Sequence, residues 1–182
     1  HIDRAKIYRH TQLYTALSQC NQAIVHSANE EELFTQICRI AVRLGGMAIA
    51  GVCAIDSKTR IVRPAASFGD DTGFLTSMEL SLDPETAYGR GPTGTAMRED
   101  RIVWCQELLH DPATVPWQSG ATRAGLAASA SLPLHRGGHV VGAFTLYSGE
   151  SNSFDELARD LLVEMAADIS FALNNFEREA RR

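Results

Sequence analysis

The sequence predicts an α+β fold, in which a largely antiparallel sheet of about five to six strands is flanked by long N- and C-terminal helices. Strand-like runs cluster in the middle of the chain, and amphipathic helical runs stand at both ends. Short turns join neighbouring strands, which favours antiparallel pairing. With 182 residues, of which 45% are hydrophobic, the chain can bury the core of one domain.

Helical periodicity at the amino end predicts a first helix over residues 3–27. Asn29 followed by Glu32 forms a capping box, which predicts the start of a second helix that ends before Gly45-Gly46. At the carboxyl end, a last helix is predicted from near Ser153 to about residue 180.

The two terminal helices also carry apolar residues at alternating spacings of three and four, as coiled-coil seams do. An apolar seam left outside the core needs a partner, so we expect a homodimer formed through these helices. The alternative is that both seams pack on their own sheet. The expected dimer residues are Leu13, Leu17, Ile24, Ile169, Leu173 and Phe176.

Between the helices, residues 47–56 and 60–69 predict a β-hairpin. Pro64 places the second of these strands at a sheet edge or at a bulge, because proline donates no ladder hydrogen bond. Residues 101–108 predict a further strand, and 126–135 with 139–148 predict a second hairpin. The apolar residues of 70–80 suggest a short helix.

The stretch "YGRGPTGTAMRED" contains the G-x-G-x-x-G pattern of dinucleotide-binding folds at Gly89, Gly91 and Gly94. That site requires a buried parallel strand before the glycines, but "SLDPETAY" is polar and contains a proline. We therefore predict a tight turn into a short helix that begins at Pro92. The amino end of this helix, beside Arg90, is a candidate site for an anion or a polar ligand.

Composition narrows the functional classes. A net charge of −5 without a long basic stretch disfavours nucleic-acid binding. No apolar run reaches the length of a membrane span, and the four cysteines are scattered in apolar patterns, so we expect a cytoplasmic protein with reduced, buried thiols. The histidines and cysteines do not stand at metal-ligand spacing, so no metal site is expected.

Three stretches together resemble a GAF domain: "YTALSQCNQAIVHSANEEELFTQICRIAVRLGGMAIAGVCAID", "GRGPTGTAMREDRIVW" and "AASASLPLHRGGHVVGAFTLYSGESNSFDELARDLLVEMAADISFAL". They are most similar to GAF domains upstream of bacterial diguanylate cyclase and phosphodiesterase output domains. The resemblance implies a sheet with helices on one face and a ligand pocket under loops on the other. It also implies three segments: a dimerisation helix (1–27), the GAF domain (28–172) and a linker helix (173–182).

The resemblance places a tentative ligand pocket at the glycine turn, in the following connection and on the later strands. Aromatic side chains with a few convergent polar groups are what such a pocket requires. The candidate ligand-binding residues are Tyr88, Arg90, Thr93, Trp104, His110, Trp117, Ser129, Ser131 and Tyr147. For Trp104 and Tyr147 the alternative is core packing, and for His110 it is a solvent-exposed loop.

The resulting hypothesis is a non-catalytic sensory domain that binds a small ligand or senses redox state. It would signal through its terminal helices to a covalently linked output domain, either a GGDEF/EAL domain of cyclic-di-GMP turnover or a histidine kinase. No Cys-His pair occurs, so no covalent bilin is expected, and haem is not expected either; the cofactor is unknown. Two alternatives stay open: a dimerisation module without a ligand, and a cysteine-dependent free methionine sulfoxide reductase.

Overall fold

The computed structural model describes residues 3–182, so the first two residues of the predicted segment 1–27 lie outside it. These described residues form five strands and five α-helices. The strands are β1 (Ile49–Ile55), β2 (Val62–Phe68), β3 (Val103–Cys105), β4 (Ala128–Arg136) and β5 (His139–Ser148). The helices are α1 (Arg4–His26), α2 (Glu30–Arg43), α3 (Pro92–Glu99), α4 (Gln118–Ala124) and α5 (Glu156–Ala180).

All strands pair antiparallel in one sheet of order β2-β1-β5-β4-β3, which confirms the predicted α+β class. Both parts of the Pro64 prediction are confirmed. β2 is an edge strand, and the β1–β2 register shifts between Val52 and Cys53, where Pro64 pairs with Cys53. The proline therefore sits where a missing N–H costs the sheet least.

The helix starts follow local hydrogen bonding. Asn29 caps α2 as predicted, and its Oδ1 accepts from the Glu32 amide at 2.9 Å. α5 starts later than predicted, because Asp155 rather than Ser153 is its N-cap. The side chain of Gln106 bonds both the amide and the carbonyl of Phe154, which holds that residue in extended chain and delays the helix.

One face of the sheet is covered by α1, α2 and α5, and the main core lies between them and the strands. The predicted dimer seams lie inside this core. Leu13 and Leu17 of α1 are 4% and 9% exposed, and Ile169 and Leu173 of α5 are fully buried. Ile24 and Phe176 pack partly buried against the same core.

This burial corrects the role that we assigned to the seams. α1 and α5 are each other's partners within one chain, so the apolar stripes are satisfied without a second copy. The alternative, that both seams pack on their own sheet, describes α5, which packs on β4, whereas α1 packs on α2 and α5. No helix within residues 3–182 combines the length and apolar character needed to cross a membrane.

Candidate functional site

The second face of the sheet carries two adjoining cavities. They lie between the strands and an irregular segment, residues 70–82, which we call the covering segment. The outer cavity, about 50 Å³, lies against β1 and β2, and the inner cavity, about 20 Å³, lies beside the start of α3. Both are lined by Met78, Leu80 and Tyr147, so these three side chains separate them.

Strand alternation gives this face its composition. On β4 and β5 the larger aliphatic residues point into the helical layer, and mostly small or polar ones point to the cavities, whereas on β1 Val52 faces the helices and Ile49 packs on the cavity side. Serine and glycine leave space that a larger side chain would fill. The strand residues that line a cavity include Gly51, Cys53, Ser129, Thr145 and Tyr147.

One carboxylate holds the first turn of the covering segment in place. Asp70 accepts hydrogen bonds from the amides of Leu75 at 2.9 Å and Thr76 at 3.1 Å. Phe74 is 6% exposed and meets the ring of Tyr147 edge-on, with centroids 5.2 Å apart. The predicted helix over 70–80 is wrong: these residues form turns, and their apolar side chains are directed against the sheet face instead of along a helix stripe.

The turn that contains Gly89 and Gly91 places the start of α3 beside the inner cavity. Pro92 stands at the first position of the helix as predicted, and Gly91 is the N-cap without a side-chain cap. A Cβ at Gly91 would overlap the six-membered ring of Trp117, so only glycine fits there. One residue after Pro92, the buried hydroxyl of Thr93 lies 3.0 Å from that of Ser131 on β4, which ties α3 to the sheet.

Trp117 closes the inner cavity from the side opposite the strands. It ends a 3-10 turn, Pro112–Trp117, and is 9% exposed. Its ring meets that of Tyr88 edge-on at 6.4 Å. The indole Nε1 is buried and has no hydrogen-bond partner within residues 3–182.

The inner cavity is electrically neutral. Its lining contains no Asp, Glu, Lys, Arg or His side chain. Burial, with a smaller contribution from Cys53, raises the pKa of the Tyr147 phenol, so the ring keeps its proton at neutral pH. The outer cavity has a single charged lining residue, Arg63, which is exposed on the edge strand β2.

The four cysteines are free and buried. Burial raises the pKa of each thiol from 9.0 to about 12, and for Cys105 the neighbouring Asp111 adds to the effect. Cys53 on β1 and Cys105 on β3 are three strands apart, or about 14 Å at the usual strand spacing. These two thiols are therefore too far apart to form a disulfide with each other.

Four of the predicted ligand residues line the inner cavity together: Thr93, Trp117, Ser129 and Tyr147. Ser131 is joined to this group through its contact with Thr93, and Tyr88 borders it through Trp117. The structure thus brings together six of the nine residues, from the glycine turn, the 3-10 turn and two strands.

The other three lie elsewhere, each for a physical reason. Trp104 faces the helical layer, where its ring packs 5.8 Å from that of Phe154, because its neighbour Cys105 takes the cavity face. Arg90 is exposed and donates to the carbonyl of Pro84 at 3.0 Å. His110 is exposed on its loop, which is the alternative that the sequence left open.

Sequence reasoning missed the covering segment. Phe74, Leu75, Met78 and Leu80 supply much of the apolar wall. The signal was present as these four apolar residues and Leu82 in an otherwise polar stretch bounded by Asp70 and Pro84. Such a cluster in a long connection indicates a segment that packs on something, although it does not indicate on what.

A family model for the GAF domain matches residues 27–174, which is most of the chain. The chain belongs to the GAF family. A search of curated proteins gives no match. The finer resemblance, to GAF domains of cyclic-di-GMP enzymes, has no support in these comparisons.

Solved structures resemble the GAF domain over nearly its whole length. A free methionine-R-sulfoxide reductase from Neisseria meningitidis, in complex with its substrate, has 17% identity and a TM-score of 0.75, covering 98% of this chain and 95% of that one. A reduced Staphylococcus aureus fRMsr has 15% identity and a TM-score of 0.70, covering 90% and 96%. The GAF domain of an Acinetobacter phosphoenolpyruvate-protein phosphotransferase has 14% identity and a TM-score of 0.70, covering 93% and 98%.

These likenesses overturn one expectation. We predicted a domain without catalytic activity, but the solved structures that resemble this chain include free methionine-R-sulfoxide reductases as well as GAF domains of other proteins. At these identities the likeness shows the fold alone. The fold therefore serves both classes, and the prediction that this chain is not an enzyme is withdrawn.

Proposed function

We propose that this GAF domain is a regulatory domain that binds a small molecule in the outer and inner cavities. The observation that carries the proposal is the lined space between the sheet and the covering segment. Its walls are apolar, with a few hydroxyl groups from separate elements, which is the composition typical of small-molecule sites. In the closed arrangement the space is too small for most metabolites, so binding requires Met78 and Leu80 to move.

Such a movement supplies a signal. The covering segment rests on apolar contacts and on the two amides held by Asp70, so it is a part of the chain that can open without unfolding the sheet. A ligand that contacts the open arrangement better shifts the population towards it. Ser129 of β4 lines the inner cavity, and its neighbour Ala130 is buried in the helical core, where β4 packs against α5. β4 therefore links the inner cavity to α5.

The receiver of the signal is a finer proposal. Similarity of the chain to GAF domains upstream of cyclic-di-GMP enzymes favours a GGDEF or EAL output domain, with a histidine kinase as the alternative. The same proposal includes three further points: the division into helix, GAF domain and linker, a homodimer, and a cytoplasmic location. The complete gene product tests it: a cyclic-dinucleotide or kinase domain after residue 182 supports the proposal, and an unrelated domain contradicts it.

Ligand binding is tested by a thermal-shift screen of metabolites, cyclic nucleotides and neutral small molecules. We expect at least one compound to raise the melting temperature of the wild type. The shift should shrink in Thr93→Val, which removes a hydroxyl from the inner cavity, and persist in Thr95→Val, the same change on the same helix outside the cavity lining. No shift with any compound, or equal shifts in both variants, would contradict the proposal.

A second candidate function is reduction of free methionine-R-sulfoxide, favoured by the likeness to the Neisseria enzyme. One cysteine thiol and one thiol of dithiothreitol would supply the two electrons that turn the sulfoxide into thioether and water, and the second thiol of dithiothreitol would release the cysteine from the resulting mixed disulfide. Methionine release from the sulfoxide, dependent on dithiothreitol and lost in Cys53→Ser or Cys105→Ser, would establish this function. Absence of turnover, or turnover that survives both variants, would remove it.

A further inference from the structure

The inner cavity is lined by a side chain with an unused hydrogen-bond donor. Trp117 is nine-tenths buried, and no acceptor lies within hydrogen-bond reach of its Nε1 in residues 3–182. A buried N–H without a partner loses the hydrogen bond that it had with water, so native proteins rarely keep one. The Trp117 N–H therefore needs an acceptor that residues 3–182 do not provide.

A second donor lies at the same place. Pro92, the first residue of α3, has no N–H, so the first amide donor of the helix is that of Thr93, which lines the inner cavity, and Gly91 leaves the helix without a side-chain cap. The first amides of a helix lack intrahelical acceptors and carry partial positive charge. Trp117 and the start of α3 together favour an oxygen atom with a partial negative charge.

A full negative charge is disfavoured, because no cation reaches the inner cavity. The nearby guanidinium groups are hydrogen-bonded to backbone carbonyls: Arg90 donates to the carbonyl of Pro84, and Arg98 donates to that of Gly89 at 2.6 Å. Arg63 lines the outer cavity only. A carboxylate or phosphate buried among Phe74, Leu108 and Trp117 would lose its hydration with no opposite charge in exchange.

The walls and the available space define the rest of the ligand. The inner cavity of about 20 Å³ has room for about one water. Met78 lies between the two cavities, and an unbranched methionine moves at low cost. Its displacement would join the two cavities, and Phe74 and Trp117 in the lining of the inner one offer aromatic surface for a single flat ring.

We propose that the ligand of this GAF domain is a compact, uncharged molecule with an apolar, ring-sized body and a carbonyl oxygen that accepts a hydrogen bond from Trp117 Nε1. The inference rests on the proposed function and names the ligand class of the same site. Anionic nucleotides are outside this class.

Three probes of one shape test the inference: benzamide, which is neutral and has a carbonyl; benzoate, which is anionic; and toluene, which has no acceptor. Each is titrated into the ¹⁵N-labelled chain while the indole Nε1–H signals are followed by NMR. The chain has two tryptophans, so Trp104 serves as the internal reference. We expect benzamide to bind at least tenfold more tightly than either other probe and to move the Trp117 signal but not that of Trp104.

The variant Trp117→Phe keeps an aromatic ring and removes the donor. Benzamide should bind it several-fold more weakly, while toluene affinity stays unchanged, and Trp104→Phe should alter neither. Equal affinity for benzoate or toluene, with an unmoved Trp117 signal, would overturn the ligand class and leave small-molecule binding intact. Failure of all three probes to bind also overturns the inference; the proposed function falls with it only if the thermal-shift screen gives no hit.

Discussion

At the scale of single residues, the candidate site depends on a glycine, which has no side chain. Gly91 lets the ring of Trp117 rest against the backbone that starts α3, and this contact forms one end of the inner cavity. The glycine pattern thus serves ring packing and a tight turn, and not the phosphate contact that the G-x-G-x-x-G string suggested.

The variant Gly91→Ala should therefore be destabilised. A Cβ there overlaps the Trp117 ring, which cannot move without disturbing Tyr88 and α3, so we expect a loss of about 1–3 kcal/mol in the free energy of unfolding. Gly149→Ala is the control, because its Cβ would lie 3.4 Å from its nearest neighbour, the carbonyl oxygen of Gly125, which is an ordinary contact. Urea denaturation of both variants measures the difference; equal stability would count against the ring contact.

Residue burial also predicts a pH dependence. The pKa of Cys53 is raised by burial from 9.0 to about 12, so between these values the unfolded chain releases a proton that the folded chain keeps. The free energy of unfolding is independent of this thiol below about pH 9 and falls as the pH rises above it. Removing the thiol should therefore make that fall less steep.

We expect Cys53→Ala to reduce the slope by about 1 kcal/mol per pH unit between pH 9 and 11. Val52→Ala, its neighbour on β1, removes apolar volume but no titrating group and should leave the slope as in the wild type. Urea denaturation at several pH values gives the slopes. An unchanged slope in Cys53→Ala would mean that this thiol ionises as readily in the folded chain as in the unfolded one.

At the scale of elements, the pairing of α1 with α5 decides what the terminal helices can do. Their apolar seams meet inside the core, so a movement of α5 must be accompanied by α1. The sequence showed the seams correctly and assigned them to the wrong partner. Periodicity indicates which face of a helix is apolar, but only the position of the sheet indicates what covers that face.

Two substitutions on α5 separate the core seam from the outer surface. Leu173 is fully buried, so Leu173→Asp places a charge in the core and should cost about 3–5 kcal/mol. Phe171 is 63% exposed, so Phe171→Asp should change stability by no more than about 0.5 kcal/mol. Thermal unfolding by circular dichroism compares them, and a stable Leu173→Asp chain with an altered sedimentation mass would restore the seam as an interface.

The sequence predicted the features that depend on neighbouring residues better than those that depend on distant ones. The two hairpins, the edge position of β2 and the cap at Asn29 were confirmed, because each depends on residues close together in the chain. The start of α5 was misplaced, since the cause is Gln106, far away in sequence. The face of the sheet on which Trp104 lies was not predictable either. Alternation along the strand places Trp104 and Cys105 on opposite faces, but it does not say which of these two residues faces the helices.

At the scale of the whole molecule, the sheet divides the GAF domain into a helical side and a cavity side. The helical side holds the main core, whereas the cavity side is closed by the covering segment, α3, α4 and the turns around them. Six of the nine predicted ligand residues meet on that side. The apolar residues of the covering segment were missed because their spacing resembles that of a helix, and only the sheet face shows why they are apolar.

The central claim is that a small molecule binds between the sheet and the covering segment. The most direct test is a fragment screen on the ¹⁵N-labelled chain, with the amide signals assigned. We predict that the fragments that bind shift amides of residues 70–82, of the start of α3 and of β4 and β5, and leave the exposed faces of α1 and α5 unchanged. An assigned spectrum in which no fragment shifts these amides, or in which the shifts gather on the helical side, would contradict the claim.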